Sequence, residues 1–206
     1  MSQPLVLASR SPRREVLLRH LLDDFTVDPV PVDEVAPRGL PVGEALEVIA
    51  RKKALATAAR HPDAWVLGAD TVVVLGDELI GKARNEATER ERLAVLSGTT
   101  HQVWTGLALV WGGKAVDAAH AVTAVRLDKM PKDVVEAYVA SRLWEGKAGG
   151  YGIQDLMLQP YVRIMAGPWS NVVGLPLGVA HALLSRNRVP CKAPPAEAWL
   201  VDHNPF

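Results

Sequence analysis

One cysteine, Cys191, stands in 206 residues. It has no internal partner for a disulfide, which accords with a reducing cytosol. Neither sign of charge is in excess: 23 Lys and Arg face 23 Asp and Glu, a formal net charge of zero. Such a chain has no general attraction for nucleic acid or an anionic membrane, so any anion it binds must meet a local cluster of cations. Long apolar runs are missing too. The most hydrophobic windows are broken by Asp70 or by Gly174 and Pro176, well short of the ~20 residues of a membrane span. The first apolar segment, residues 4–8, is shorter than the core of a secretory signal and is followed by arginines. The sequence carries no internal repeat, Walker loop, dinucleotide fingerprint, nucleophile motif or metal-ligand histidine spacing. What is left is a globular chain long enough for one large domain or two intimate lobes.

The elements that are present alternate in type. Residues 5–8 form a short buried strand, and Ser11-Pro12 then open a helix as cap and first residue. Val16, Leu17, Leu18 and Leu21 give that helix one apolar side. A proline-rich loop covers residues 29–41. The next helix spans about residues 43–60, with Leu46, Ile49, Ala50, Lys53 and Ala54 near one stripe. Residues 65–75 read as a strand turning at Gly76-Asp77. Asn85 caps a charged helix that Gly98 ends. Residues 101–111 and 114–127 make a long hairpin across Gly112-Gly113, and a helix follows Pro131. A glycine-rich loop over residues 146–152 leads to Ile153-Gln154, and a last helix begins near Pro176. Helices interleaved with hairpins predict an α/β fold with a mixed sheet rather than a regular doubly wound one. The division expected is a domain over residues 1–186 and a tail over 187–206. That tail carries Pro190, Pro194, Pro195 and Pro205, and is either loose or docked through Trp199 and Leu200.

Two segments point to chemistry. Ser9-Arg10-Ser11-Pro12-Arg13-Arg14 joins a strand to a helix N-terminus, where free N–H groups favour an anion. Arginines in a first turn have the wrong sign for the helix dipole unless an anion sits there. The plain alternative is two solvated arginines beside a serine cap, and the segment alone does not choose. Asp70 interrupts an otherwise apolar strand, where a carboxylate costs several kcal/mol, roughly, unless paired or metal-bound. In isolation, Asp70→Asn should therefore keep or improve stability. A two-residue turn at Gly76-Asp77 sets Lys82 opposite Thr71, which points Lys82 and Asp70 to opposite faces unless a bulge or strand end intervenes. Glu34 and Lys53, each alone, read as a loop acid and a helix lysine. Gln154 closes the glycine-rich loop, where its amide has both donor and acceptor for a base edge.

Taken in order, these segments resemble the Maf family of nucleotide pyrophosphatases, from Leu5 to about Leu177. The resemblance rests on Ala8-Ser9-Arg10-Ser11-Pro12-Arg13-Arg14, then Glu34, then Ala50-Arg51-Lys52-Lys53-Ala54. Gly68-Ala69-Asp70-Thr71, Gly81-Lys82 and Leu96-Ser97-Gly98 follow, with His101, Val103, Thr105 and Gly106. Lys147-Ala148-Gly149-Gly150-Tyr151-Gly152-Ile153-Gln154 and Asn171-Val172-Val173-Gly174-Leu175-Pro176-Leu177 complete it. Two positions depart from the pattern: Ala83 stands where proline is usual, and Asp155 where glycine is usual. The resemblance implies an elongated mixed sheet with two lobes around a central cleft, a cytoplasmic setting and a homodimer. It also implies cleavage of a nucleoside triphosphate to monophosphate and pyrophosphate with a divalent cation, Mg²⁺ or Mn²⁺. On that basis Asp70 is the base, or activates a metal-held water, and Glu34 joins it on the metal. Arg14, Lys53 and Lys82 take phosphates with help from Ser9, while Arg13, Thr71 and Gln154 match positions tied to substrate choice, of the dTTP and UTP type. The resemblance also carries a different reading, a regulator of septum formation acting through protein contacts.

Overall fold

The computed structural model describes residues 3–202, so Pro205 lies outside it. Strand β1 (Leu5–Ala8) is buried along its length and runs into helix α1 (Pro12–Leu18), where the Ser11 hydroxyl accepts from the Arg14 N–H. After the two-residue strand β2 (Thr26–Val27) and the proline-rich loop comes helix α2 (Val42–Ala58). Strands β3 (Trp65–Leu75) and β4 (Glu78–Ile80) form the expected hairpin, with Gly76 in the left-handed region at φ 59°. Asn85 caps helix α3 (Glu86–Leu96) by accepting from the Thr88 N–H. Strands β5 (Thr99–Trp111) and β6 (Lys114–Leu127) form the long hairpin, with Gly112 and Gly113 both at positive φ as a two-residue turn requires. Helix α4 (Lys132–Ser141) follows, then strand β7 (Val162–Ala166), helix α5 (Trp169–Val173), helix α6 (Leu177–Arg186) and helix α7 (Glu197–Asp202).

Among the described residues the sheet has seven strands in the order β2-β1-β3-β5-β6-β7, with β4 paired to β3. β1 runs parallel to both β2 and β3, and the remaining pairings are antiparallel. The mixed sheet is thus as expected. Helix α2 lies on one face, and its predicted stripe is the buried one: Leu46, Ile49, Ala50, Lys53 and Ala54 all face inward. Two glycines let the helix come down onto the strands. A side chain at Gly68 would start 2.1 Å from the Ala50 carbonyl oxygen, and one at Gly106 would start 2.5 Å from the Leu46 carbonyl carbon. The opposite face carries two separate cores. One gathers Leu7, Leu17, Leu67, Leu107, Leu177 and Leu183, and the other Leu93, Leu96, Val103, Leu127 and Tyr138. These are the two lobes, and they are built on one continuous sheet.

The short or fully buried elements, β2, β7, α5 and α7, escape sequence reading because they carry too few residues to show a period. The tail is docked. Leu200 is fully buried in the first core, while Trp199 stays partly exposed with its ring edge-on to His20 at 5.8 Å. Glu197 reaches the start of α5, accepting from the Ser170 N–H at 2.9 Å and from the Ser170 hydroxyl at 2.5 Å. The lost contacts of a buried leucine cost about 2 kcal/mol or more. Leu200→Ala is therefore expected to lower unfolding stability by at least about 2 kcal/mol in a denaturant titration. An unchanged midpoint would mean that the tail does not contribute to the core.

Candidate active site

The two lobes part where β3 changes neighbours. Along one edge, β3 pairs with β1 as far as Gly68, then with β4 from Val73 onward. The four residues 69–72 between them have no strand on that side. β1 ends at Ala8, so Ser9 leaves the sheet at one margin of this gap. β4 ends at Ile80, so Lys82 leaves it at the other. Extended past its last pair, Val73 with Ile80, the hairpin register would set Lys82 against Thr71, but the ladder has already ended there and the strict alternation of faces no longer holds. Asp70, Thr71 and Lys82 consequently line the same hollow.

Arg14 fills the gap. Its Nη1 donates to the Ala69 carbonyl at 3.0 Å and to the Ser9 hydroxyl at 3.0 Å. Its Nη2 donates to the Thr71 hydroxyl at 2.8 Å, and its Nε to the Gly174 carbonyl at 2.8 Å. Four of the five guanidinium donors are thus held by the protein. The chain continues inward. The Thr105 hydroxyl donates to the Asn171 carbonyl at 3.2 Å and lies 3.0 Å from the Thr71 hydroxyl, so Thr71 must donate to Thr105 while accepting from Arg14. Burial pulls the Arg14 pKa down, Asp70 and Glu34 oppose that shift, and neighbouring Arg13 adds to it. Arg14 is therefore mainly a framework residue with one donor to offer. Ser9 likewise has its oxygen engaged, accepting from Arg14 and from the Ser11 N–H. Helix α1 is seven residues long, so its dipole is a minor attraction and the side-chain cations dominate.

On the α2 side, Lys53 is buried and its Nζ donates to Asp70 Oδ1 at 2.6 Å, while Glu34 Oε1 lies 2.9 Å away. The loop acid and the strand carboxylate thus meet on the helix lysine. Burial pushes the Glu34 carboxyl up, yet the hydrogen bond and charge of Lys53, with Lys82 and Arg14 beyond, hold it below its ordinary value. The point that Glu34 Oε1 and Asp70 Oδ1 share is taken by the Lys53 ammonium, which leaves the second oxygen of each carboxylate as a hard donor of the kind Mg²⁺ or Mn²⁺ takes beside water and phosphate. Among the described residues no three His, Cys, Asp or Glu side chains form a protein cage.

On the other face a narrow pocket runs from Arg13 and Arg14 past Thr71, Val73 and Val103 to Tyr151 and Gln154. Arg13 reaches across its mouth to the Gly146 carbonyl at 3.4 Å. Gln154 is buried and lines this pocket. Sequence reasoning missed what lies behind the loop. Asp155 accepts from Lys147 in a short ion pair and from the Tyr138 hydroxyl at 2.6 Å, so its charge is already matched. Ala83, the other departure, packs against the second core. Glu89 is fully buried, and a side chain at Gly150 would start 1.9 Å from its Oε2. Both its oxygens lack a hydrogen-bond partner. The signal for it existed: Glu89 falls on one helical stripe with Leu93 and Leu96. His101, bonded through Nε2 to the Tyr151 hydroxyl at 2.6 Å, has its pKa pushed down to about 4 by burial and is neutral.

A mixed sheet split along one edge, with cations gathered around a strand carboxylate and a partly open pocket beside them, suits an anionic small molecule. The chain matches the Maf-like protein family over residues 4–187 and belongs to it. It is 46% identical over 182 residues to the dTTP/UTP pyrophosphatase of Paramagnetospirillum magneticum, covering 87% of this chain and 95% of that protein. The dTTP/UTP pyrophosphatase of Moorella thermoacetica is 44% identical over 182 residues, 88% of this chain and 93% of that one. The one from Pyrococcus abyssi is 39% identical over 180 residues, 87% and 94% of the two chains.

Burial raises the Glu89 pKa from 4.5 to about 8, against the weaker pull of Arg92 and Lys147. Below pH 4.5 both native and unfolded chains hold this proton; between 4.5 and about 8 only the native chain does. Stability contributed by the neutral group is thus lost as pH rises through that window. Glu89→Gln, which keeps the shape and cannot ionise, is expected to melt like the wild type at the acid end and above it beyond about pH 8. A difference in melting temperature that does not grow with pH would show that Glu89 is not neutral in the native protein.

Proposed function

We propose that this protein hydrolyses nucleoside triphosphates, dTTP and UTP foremost, to the monophosphate and pyrophosphate. The observation that carries the reading is the split edge of β3, where Asp70 pairs with Lys53 and lines one hollow with Lys82, with the Arg13 pocket alongside. The hollow beside Ser9 is lined by Arg13, Arg14, Lys53 and Lys82, and so suits a polyphosphate. The pocket lined by Thr71, Tyr151 and Gln154 is assigned to the nucleoside. There Gln154 complements the N–H and carbonyl edge of uracil or thymine, and cytosine reverses that pattern at two atoms. Thr71 contributes a small wall, with its hydroxyl already turned inward to Thr105.

In this reading a water molecule attacks the α-phosphorus. Asp70 takes its proton, the P–O bond to the β-phosphate breaks, and pyrophosphate leaves with the electron pair. Lys53, Lys82 and the remaining Arg14 donor stabilise the charge that develops on the leaving group. Asp70 and Glu34 would hold Mg²⁺ or Mn²⁺ together with substrate phosphate oxygens, and the cation would supply further neutralisation of that charge. A cytoplasmic setting and a homodimer are part of the same reading, supported by the family resemblance. The names of the relatives support hydrolysis, and no feature of the site favours the septum-formation reading.

Asp70→Asn is expected to lower turnover by at least ~10²-fold, the low end for losing a general base. The Lys53 pairing reverses the expectation for stability. Removing one charge of a buried pair leaves the other poorly compensated, so the variant should melt below the wild type rather than above it. The assay is pyrophosphate release from dTTP, UTP, CTP, ATP and GTP with Mg²⁺ or Mn²⁺, before and after EDTA. Near-normal turnover in Asp70→Asn would overturn the base assignment. Orthophosphate with nucleoside diphosphate would overturn α-attack.

A further inference from the structure

Lys147 is an anomaly in the pocket. It lines the same wall as Gln154 and Gly152, yet it is almost completely buried, and burial pulls its pKa down while Asp155 opposes that shift. A bare ammonium beside the ring edge would be a strong, orientation-tolerant donor. It would attract any base that offers a carbonyl or ring nitrogen, so it would weaken discrimination rather than create it. The structure shows what restrains it. Asp155 Oδ2 takes the Lys147 ammonium directly, and the same oxygen accepts from the Tyr138 hydroxyl. Tyr138 also accepts from the Gly152 N–H at 3.2 Å, so the pair is tied to the backbone of the loop. Gly152 lies against both charges. A side chain there would start 2.5 Å from Asp155 Oδ2 and 2.6 Å from Lys147 Nζ.

We propose that Asp155 is a specificity-determining positioning residue, which holds the Lys147 ammonium against the pocket wall and so leaves Gln154 to read the base. The proposal rests on the assignment of this pocket to the base. Arg13 gains from the same charge, since Asp155 opposes the effect of burial on its guanidinium. Asp155 lies beyond the phosphate-binding hollow and lines none of it. Its loss should therefore act on KM for the different bases more than on kcat.

The test compares kcat and KM for dTTP, UTP, CTP and GTP in the wild type, Asp155→Asn, Lys147→Met and the double variant. Asparagine keeps the shape and an acceptor for Tyr138, and removes the charge that restrains Lys147. Asp155→Asn is expected to shrink the kcat/KM ratio of the preferred over the least preferred triphosphate by about tenfold, about the loss of one discriminating contact. Adding Lys147→Met to it should restore most of that ratio, and Lys147→Met alone should largely keep it. A merely structural role predicts the opposite, with the double variant no better than Asp155→Asn. An unchanged ratio in Asp155→Asn, a double variant that is not rescued, or a Lys147→Met variant that loses discrimination each overturns the proposal. Should Asp155→Asn fail to fold, Asp155→Ser takes its place in the same comparison, and should Lys147→Met alone fail, Asp155→Asn and the double variant still decide it. A wild type that prefers a purine would overturn the dTTP and UTP reading alone, because the ratio is taken from whichever triphosphate the wild type prefers. A wild type without preference would overturn both.

Discussion

The site exists because β3 lacks a neighbour over four residues, and because Arg14 stands in for the missing strand. A backbone carbonyl exposed in a sheet edge must find a donor. Here the donor for Ala69 is a guanidinium rather than another N–H. The same group gathers Ser9 from the end of β1, Thr71 from β3 and Gly174 from the end of α5. Three segments remote in sequence are fixed by one planar fork of donors. Thr71, Thr105 and Asn171 pass the constraint across β3 and β5, each donor oriented by the one before it. The cleft between the lobes is thus a controlled interruption of a continuous sheet.

The opposite face works through close approach. Gly68 and Gly106 remove the side chains that would keep α2 at an ordinary distance, and Asp70 lies on the same face as Gly68, paired across the ladder with Gly106. Helix and strand come close enough for Lys53 to meet Asp70 directly. A buried ammonium and a buried carboxylate are each costly alone and tolerable together. That pairing reverses the effect expected of an Asp70 neutralisation on stability. It also explains how Glu34, on an exposed loop, is drawn to the site: it is a second carboxylate for an ammonium that is shielded from water.

Much of this was legible from residues. The apolar stripe of α2 included Lys53, the lone Asp70 announced a partner, and the glycine turns marked both hairpins in register. The face of Lys82 was not decided by the turn, because period two says nothing about where a ladder stops. Arg14 was read as a phosphate ligand, and a sequence cannot show that four of its donors are already engaged. Asp155 shows in the sequence only as a departure from the family pattern. Its partners, Lys147 and Tyr138, come from the loop and from α4, and only packing brings them to it. The short elements α5 and α7 escaped for a related reason: Glu197 caps Ser170 across 27 residues, which no local pattern records.

The central claim is that Arg14 builds the site before it binds anything. Arg14→Lys isolates it, because an ammonium keeps the charge for a phosphate but cannot send four donors in the directions of a planar fork. The decisive measurement is the thermal midpoint of this variant without ligand, read beside its kcat for dTTP. The account predicts that both fall together, with the midpoint lowered before any nucleotide is added. A variant that melts like the wild type and shows only a raised KM would contradict it, and would make Arg14 a simple phosphate ligand.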